Sequence, residues 1–188
     1  VFGTVTKTAV ATGADLVGYS GFSASNYLEQ PTNSAITSLT SFAFTGWFKT
    51  TMTGNGYLFS LGGGNVNARG LAVASTGGVL YTWDQTNGQD LFTRVVNDGS
   101  WHQVTFIVTP TTRVVYIDGV LDSTIEVSAY TTPADSQYRV GVFREGNGTI
   151  NNIFDGQHAL QRFSATIPTT EQIKKMYNDE KHLFQENA

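Results

Sequence analysis

The residues of this chain best suited to chemistry sit in two polar loops that follow aromatic strands. The segment Tyr81-Thr82-Trp83-Asp84-Gln85-Thr86-Asn87-Gly88-Gln89-Asp90 brings a large indole, carboxylates and several amides together where a strand runs into a loop. An aromatic face stacks on the apolar side of a pyranose ring, and amides or carboxylates take the ring hydroxyls by hydrogen bonds. Trp83, with Asp84 and Asn87, is therefore the first candidate for a ligand platform. The segment Arg144-Glu145-Gly146-Asn147-Gly148-Thr149 offers a second polar loop with Arg144 and Asn147 as candidates, and Asn55 with Tyr57 is expected to border either one. Read without a ligand, all of these are exposed turns of a Thr- and Asn-rich β protein. Asn147-Gly148-Thr149 also fits the N-glycan acceptor pattern, which matters only in a chain secreted through a eukaryotic pathway.

Catalytic arrangements are mostly missing. Gly62-Gly63-Gly64-Asn65 precedes neither a helix nor a Lys and reads as a turn, not a phosphate cradle, and no Gly-x-Ser-x-Gly elbow presents a nucleophile. With no Cys, thiol nucleophiles, disulfides and Cys-ligated metals are excluded. The three histidines, His102, His158 and His182, are far apart in sequence; His102 reads as a packed, hydrogen-bonded strand residue, and His158 beside Gln157 is the one to consider near a ligand. Glycoside cleavage needs two carboxylates about 5–9.5 Å apart, a need often met by acids at alternate positions of one strand. No Glu-x-Asp-x-Glu run exists; the nearest pair, Asp118 and Asp122, reads as a turn former and a solvated strand residue. Tyr138, Gln157, His158 and Arg162 supply the residue types of a uronate lyase, but not the strand spacing.

The elements that must position these residues are short strands. Only 14% of the 188 residues are charged, the net charge is −4 and Lys and Arg form no basic run, so nucleic acid has no electrostatic footprint to bind. No stretch approaches the roughly 20 apolar residues that span a bilayer. β-Branched and aromatic runs alternate with Gly, Asn and Asp punctuation, which predicts strands at Tyr19–Glu29, Phe42–Thr50, Tyr57–Leu61, Gly70–Ala74, Val79–Trp83, Leu91–Val96, Trp101–Val108, Arg113–Ile117, Val120–Val127, Tyr138–Phe143 and Ala159–Ser164. Asp118-Gly119 predicts a two-residue type I′ hairpin turn. Trp101–Val108 carries apolar side chains on both faces and reads as a central strand. Thr169 and Gln172 form a capping-box pattern ahead of a helix over 169–187, whose stripe Ile173, Met176, Tyr177, Leu183 and Phe184 is interrupted by Glu180. Residues 1–18 are expected to lead in from a preceding domain. The whole reads as one domain, all-β, cut from a longer protein.

Several of these segments carry a resemblance. Asp98-Gly99-Ser100-Trp101-His102-Gln103-Val104, followed by Val115-Tyr116-Ile117-Asp118-Gly119-Val120-Leu121, resembles the paired strands of laminin-G-like, concanavalin A-like jelly rolls. Phe42-Ala43-Phe44-Thr45-Gly46-Trp47-Phe48-Lys49 is similar to an earlier strand of that family, Ser23 to Glu29 to its opening strand, and Phe154-Asp155-Gly156 through Arg162-Phe163 to Glu171-Gln172-Ile173 to its closing strand and terminal helix. The likeness spans roughly residues 19–177, and the end segments are similar to modules in phage tail-fibre-like and bacterial surface proteins. It implies a two-sheet antiparallel jelly-roll sandwich with one C-terminal helix. It also implies a non-catalytic module at an extracellular or virion surface that grips a glycan or cell-surface polysaccharide, with a homo-oligomer formed through the parent protein. A glucanase or uronate lyase on the same fold, and a structural domain of a fibre, are the alternatives. Many relatives hold one Ca²⁺ with an acid on the closing strand. Here that position is Ala159, and Ser23 and Asn26 replace frequent acids, leaving Asp155 and backbone carbonyls to hold the ion.

Overall fold

The computed structural model describes residues 1–31, 36, 39–62, 69–74, 76–84, 86–128, 137–145 and 147–184. Among them, two antiparallel sheets face each other. The first holds seven strands in the order β1 (Thr6–Ala9), β2 (Val17–Ser20), β15 (Gln157–Ser164), β4 (Phe42–Lys49), β9 (Trp101–Val108), β10 (Thr112–Ile117) and β11 (Val120–Glu126). The second holds six, β3 (Leu28–Gln30), β12 (Tyr138–Val140), β5 (Gly56–Leu61), β6 (Arg69–Val73), β7 (Val79–Asp84) and β8 (Gly88–Val95), and a small hairpin pairs β13 (Phe143–Arg144) with β14 (Ile150–Asn151).

Strand alternation makes the core. In β4 the side chains of Phe42, Phe44 and Phe48 point inward opposite Val108, Phe106 and His102 of β9, and all but His102 are among the fully buried apolar residues. Phe59, Leu71, Val73, Leu80 and Phe92 answer them from the second sheet, with the Phe44 and Phe59 rings stacked at 4.3 Å. Each such side chain contributes about 1.5–3 kcal/mol on burial. Their partners on the other face of β4 and β9, Ala43, Trp47, Trp101 and Ile107, are buried too, so β9 is a central strand covered on both sides.

Polar clamps join the sheets. The Arg113 guanidinium on β10 donates to Asp84 Oδ2 on β7 at 3.2 Å across the core, and to the carbonyls of Thr109 and Thr112. Within the six-stranded sheet, Arg139 on β12 donates to its cross-strand partner Glu29 on β3 at 2.5 Å. Asp122, expected to be solvated, instead accepts the backbone N–H groups of Thr93 and Arg94, so that β11 grips the otherwise open edge of β8. Asp118 does form the hairpin turn, at φ 54° with Gly119 at φ 74°. Its carboxylate also accepts the Gln103 N–H and sits 2.9 Å from His102 Nδ1, with Arg94 at 2.7 Å. His102 is thus the packed, hydrogen-bonded residue its sequence position predicts.

Three expectations change. The run Tyr19–Glu29 is two strands, because a turn in which Ser23 and Asn26 exchange backbone hydrogen bonds separates β2 from β3. Tyr138–Phe143 is likewise broken, at Gly141 with φ 82°, which releases β13 from the line of β12. Residues 1–18 do not merely lead in: they supply the edge strand β1, part of β2, and Val10, which packs with Trp47 and Trp101. Gly63, Gly64 and Asn65 of the predicted turn lie outside the described residues, as do residues 185–187 of the predicted helix.

The helix α1 (Thr170–Glu180) starts with the predicted capping box, Thr169 accepting from the Gln172 N–H while the Gln172 side chain accepts from the Thr169 N–H, and continues as a short 3₁₀ turn over Lys181–Leu183. It packs on its own domain, over the outer face of the seven-stranded sheet: Ile173 meets Ala43 and Ile107, and Phe184 stacks on Trp47 at 4.2 Å. Glu180 is the pin of this contact. Its carboxylate accepts the Trp47 indole N–H at 2.7 Å and the Gln103 amide at 3.3 Å, and pairs with Arg162 at 2.7 Å. No helix among the described residues is long and apolar enough to cross a membrane.

Candidate functional site

Among the described residues no helix lies over the outer face of the six-stranded sheet. On β7, Leu80, Thr82 and Asp84 turn inward, so Tyr81 and Trp83 turn outward. From β5, Tyr57 joins them, its ring lying across Gly70 of β6. A Cβ at Gly70 would stand 2.5 Å from that ring, so this position must be bare for the tyrosine to lie flat. Phe143 arrives from β13, whose start is tied to β5 by the Ser60 hydroxyl donating to the Val142 carbonyl at 2.9 Å. The return strand β14 leads to Asn152, whose carbonyl accepts the Tyr57 N–H at 2.9 Å.

The four rings meet edge to face or tilted: Tyr57 with Tyr81 at 5.9 Å and 76°, Tyr57 with Phe143 at 4.8 Å and 30°, Trp83 with Phe143 at 6.1 Å and 79°. They floor a hollow of about 280 Å³ whose polar rim is Asn55, Gln89, Glu145 and Asn152. Burial first, then the neighbouring Tyr81 hydroxyl and the Glu145 charge, push the Tyr57 phenol well above its ordinary range; burial also raises that of Tyr81. Both remain neutral O–H groups at any physiological pH. Among the described residues the Trp83 indole N–H makes no hydrogen bond, so the hollow presents an aromatic floor, an unused indole donor, a polar rim and one carboxylate.

Two larger clefts, about 570 and 460 Å³, open beside β3 and β15. They are lined mainly by the fringe of the core, with Val1, Leu28 and Gln161 shared; the larger holds the rings of Tyr138 and Phe163, 5.5 Å apart, against the four of the smaller hollow. His158, expected near a ligand, borders the second of them but is itself only 2% exposed, with its ring 5.5 Å from Phe22 and 4.4 Å from Phe154. Burial lowers its pKa to about 3. It is a neutral core residue.

Of the residues singled out in the sequence, the structure gathers Trp83, Tyr57 and Asn55 around the one hollow. Asp84 does not join them. It faces the opposite side of β7, where its carboxylate holds Arg113 and also accepts the N–H groups of Thr86 and Asn87. Asn87 is likewise occupied, its amide donating to Asp84 and to the Ser128 carbonyl while its oxygen accepts the Ser128 N–H. Arg144 reaches toward Gln137 Oε1 at 3.3 Å, and Asn147 accepts the Thr149 N–H inside its own turn. Tyr81, Gln89, Phe143, Glu145 and Asn152 are the residues the sequence reading passed over. A two-residue period pairs Tyr81 with Trp83 and Phe143 with Glu145 and was the available signal; the arrival of the β13–β14 hairpin over the sheet left none.

These features define a two-sheet lectin-like sandwich with an aromatic hollow on its uncovered face. Residues 22–174 match the laminin G-like family model described as the concanavalin A-like lectin/glucanases superfamily, and the chain belongs to that family. No curated protein matches it. Among solved structures it is similar to domain 4 of AbnA, a GH43 extracellular arabinanase from Geobacillus stearothermophilus in complex with arabinotriose, at 16% identity and a TM-score of 0.72, covering 93% of this chain and 82% of that one. It is also similar to the CBM40 of the Ruminococcus gnavus IT-sialidase bound to α2,3 sialyllactose, at 12% identity and TM-score 0.67 over 94% and 98% of the two chains. A SAP-like pentraxin from Limulus polyphemus matches at 16% identity and TM-score 0.61 over 74% and 70%. These likenesses establish the fold.

The positions that the resemblance points to for calcium differ in what they offer an ion. Ala159 has no side-chain oxygen and is packed with Trp47, the Ser23 hydroxyl accepts N–H groups within its own turn, and Asn26 Oδ1 accepts the Thr4 N–H. The Asp155 carbonyl accepts the Thr50 hydroxyl. Among the described residues no group of three or more His, Asp or Glu is placed to hold a metal ion.

Proposed function

We propose that this domain is a non-catalytic carbohydrate-binding module, working outside the cell as part of a larger surface or virion protein, and that it holds a glycan in the hollow formed by Tyr57, Tyr81, Trp83 and Phe143. The observation that carries this reading is the Trp83 ring on the uncovered sheet face, half-buried by its aromatic neighbours, its N–H unused, and surrounded by Asn55, Gln89 and Asn152. Such a surface stacks on a sugar ring and hydrogen-bonds its rim hydroxyls. The arabinanase domain and the sialidase CBM40 carry saccharides on the same fold, which supports the assignment of class. Hydrolysis would need a second carboxylate across the ligand, and Glu145 is the single acid among the described lining residues.

Calorimetric titration with a panel of oligosaccharides tests this. Loss of the stacking ring in Trp83→Ala is expected to remove about 1.5–3 kcal/mol, weakening binding roughly 10- to 150-fold while leaving the thermal transition nearly unchanged. Equal affinity in the variant, or release of reducing ends by the wild-type protein, would overturn the reading.

A further inference from the structure

Resting on that reading, we infer that the hollow selects by charge: it takes sugars that carry an amino group ahead of neutral ones and turns away acidic ones, and Glu145 is the residue that decides. Glu145 is the one ionisable acid or base, apart from the two phenols, among the described residues that line the space. Its place is fixed. The Asn151 amide donates to Oε1 at 2.7 Å, the Glu145 N–H donates to the Thr149 carbonyl at 2.8 Å, and its own carbonyl accepts the Gly148 N–H at 2.9 Å, which closes the turn on itself. Oε2 makes no hydrogen bond among the described residues, and the carboxylate is close enough to Tyr57 to disfavour ionisation of its phenol.

Among the described residues no Lys, Arg or His pairs with Glu145. Arg144, adjacent in sequence, has its guanidinium directed to Gln137, and the Arg113–Asp84 pair lies on the inner side of β7, neutral as a unit. The floor works in the same direction as the rim. Aromatic faces carry the negative side of the ring quadrupole, so Tyr57, Tyr81, Trp83 and Phe143 attract an ammonium group and repel a carboxylate. Geometry and charge thus agree on one ligand class, a pyranose bearing a primary ammonium that meets Oε2 while its ring lies on Trp83. The sialylated ligand of the CBM40 neighbour is of the opposite charge. It should be excluded here.

Glucosamine, glucose and glucuronate test the inference, because they share one ring and differ in charge. At pH 6 the amine of glucosamine and the carboxylate of glucuronate are ionised, and the Trp83 indole N–H signal in a two-dimensional ¹⁵N spectrum reports on the hollow itself. The expected midpoints rise from glucosamine to glucose to glucuronate, with at least about tenfold between the extremes at low salt and a smaller spread at high salt. In Glu145→Gln, which keeps an oxygen for Asn151, the three midpoints should converge. The inference falls if glucuronate acts at concentrations as low as glucosamine, or if the spread between them is as wide in Glu145→Gln as in the wild type. Indifference of the indole to all three sugars, together with an oligosaccharide panel that binds nowhere, would instead bring down the carbohydrate reading beneath it.

Discussion

The two outer faces of the sandwich start from the same material and end in opposite states. Each carries a cluster of four large aromatic side chains: Trp47, Trp101, Tyr177 and Phe184 on the seven-stranded side, Tyr57, Tyr81, Trp83 and Phe143 on the six-stranded side. On the first, α1 and the N-terminal segment seal the rings, Trp47 is fully buried, and each indole N–H has a protein partner, Glu180 for Trp47 and the Val10 carbonyl at 3.2 Å for Trp101. On the second, Tyr57, Tyr81 and Phe143 are buried as well, but Trp83 is only half-buried and its N–H has no partner among the described residues. Aromatic area by itself therefore says little about function; whether the polar atoms beside it are already satisfied separates a core from a site.

The sharpest way to break this comparison uses two neighbours in sequence. Trp83 and Asp84 are one residue apart but face opposite sides of β7. Asp84→Ala leaves the Arg113 guanidinium, 1% exposed, without its counter-charge and is expected to cost about 3–5 kcal/mol. For a domain of this size that lowers Tm by roughly 10 °C or more. Trp83→Ala should do the reverse, weakening ligand binding at little cost in Tm. Calorimetric melting of the two proteins checks it, and comparable losses of stability would mean that the open face is structural after all.

A smaller effect sharpens the sealed side. Glu180→Ala leaves the buried Trp47 N–H unsatisfied, at about 1–3 kcal/mol, and releases the end of α1. Amide hydrogen exchange should then rise in α1 first, with the sugar titration at Trp83 unchanged. If the hollow on the other sheet lost affinity in step, the two faces would not be independent.

Much of this frame was legible before any coordinates. The hairpin around Asp118-Gly119, the strand Trp101–Val108 and the capping box at Thr169 are local in sequence: turn chemistry, a two-residue period and a three-residue spacing fix them. What misled was also physical. Asp84 looks like a loop residue beside Trp83, yet β7 runs one residue further than Trp83 and the pleat carries the acid to the far side. Glu180 looks like a flaw in an apolar stripe because its partners Trp47, Gln103 and Arg162 are remote in sequence. Phe143 and Glu145 reach the hollow only because the chain breaks at Gly141 and folds a hairpin over the sheet, and no window of sequence contains both that hairpin and Trp83.

The smallest expected effect concerns His102, which ties β9 to the hairpin between the two faces. Burial alone would lower its pKa, but the hydrogen bond and charge of Asp118, with those of Asp98, outweigh it and hold the imidazole above its ordinary value. A raised folded-state pKa means that the protonated ring stabilises the fold below the unfolded value of about 6.5, and that this contribution is lost as pH rises through the folded value. His158 acts in the opposite sense: its depressed pKa, about 3, removes stability as pH falls below about 6.5. The two separate cleanly in a difference measurement. Urea unfolding of wild type and His102→Gln, compared across pH 5 to 8.5, cancels the contribution of His158, and the wild-type advantage should be larger at the acid end than at the alkaline end. An advantage that stays flat with pH would show that Asp118 is held by Arg94 and the Gln103 N–H alone, with His102 serving only as a neutral packing group.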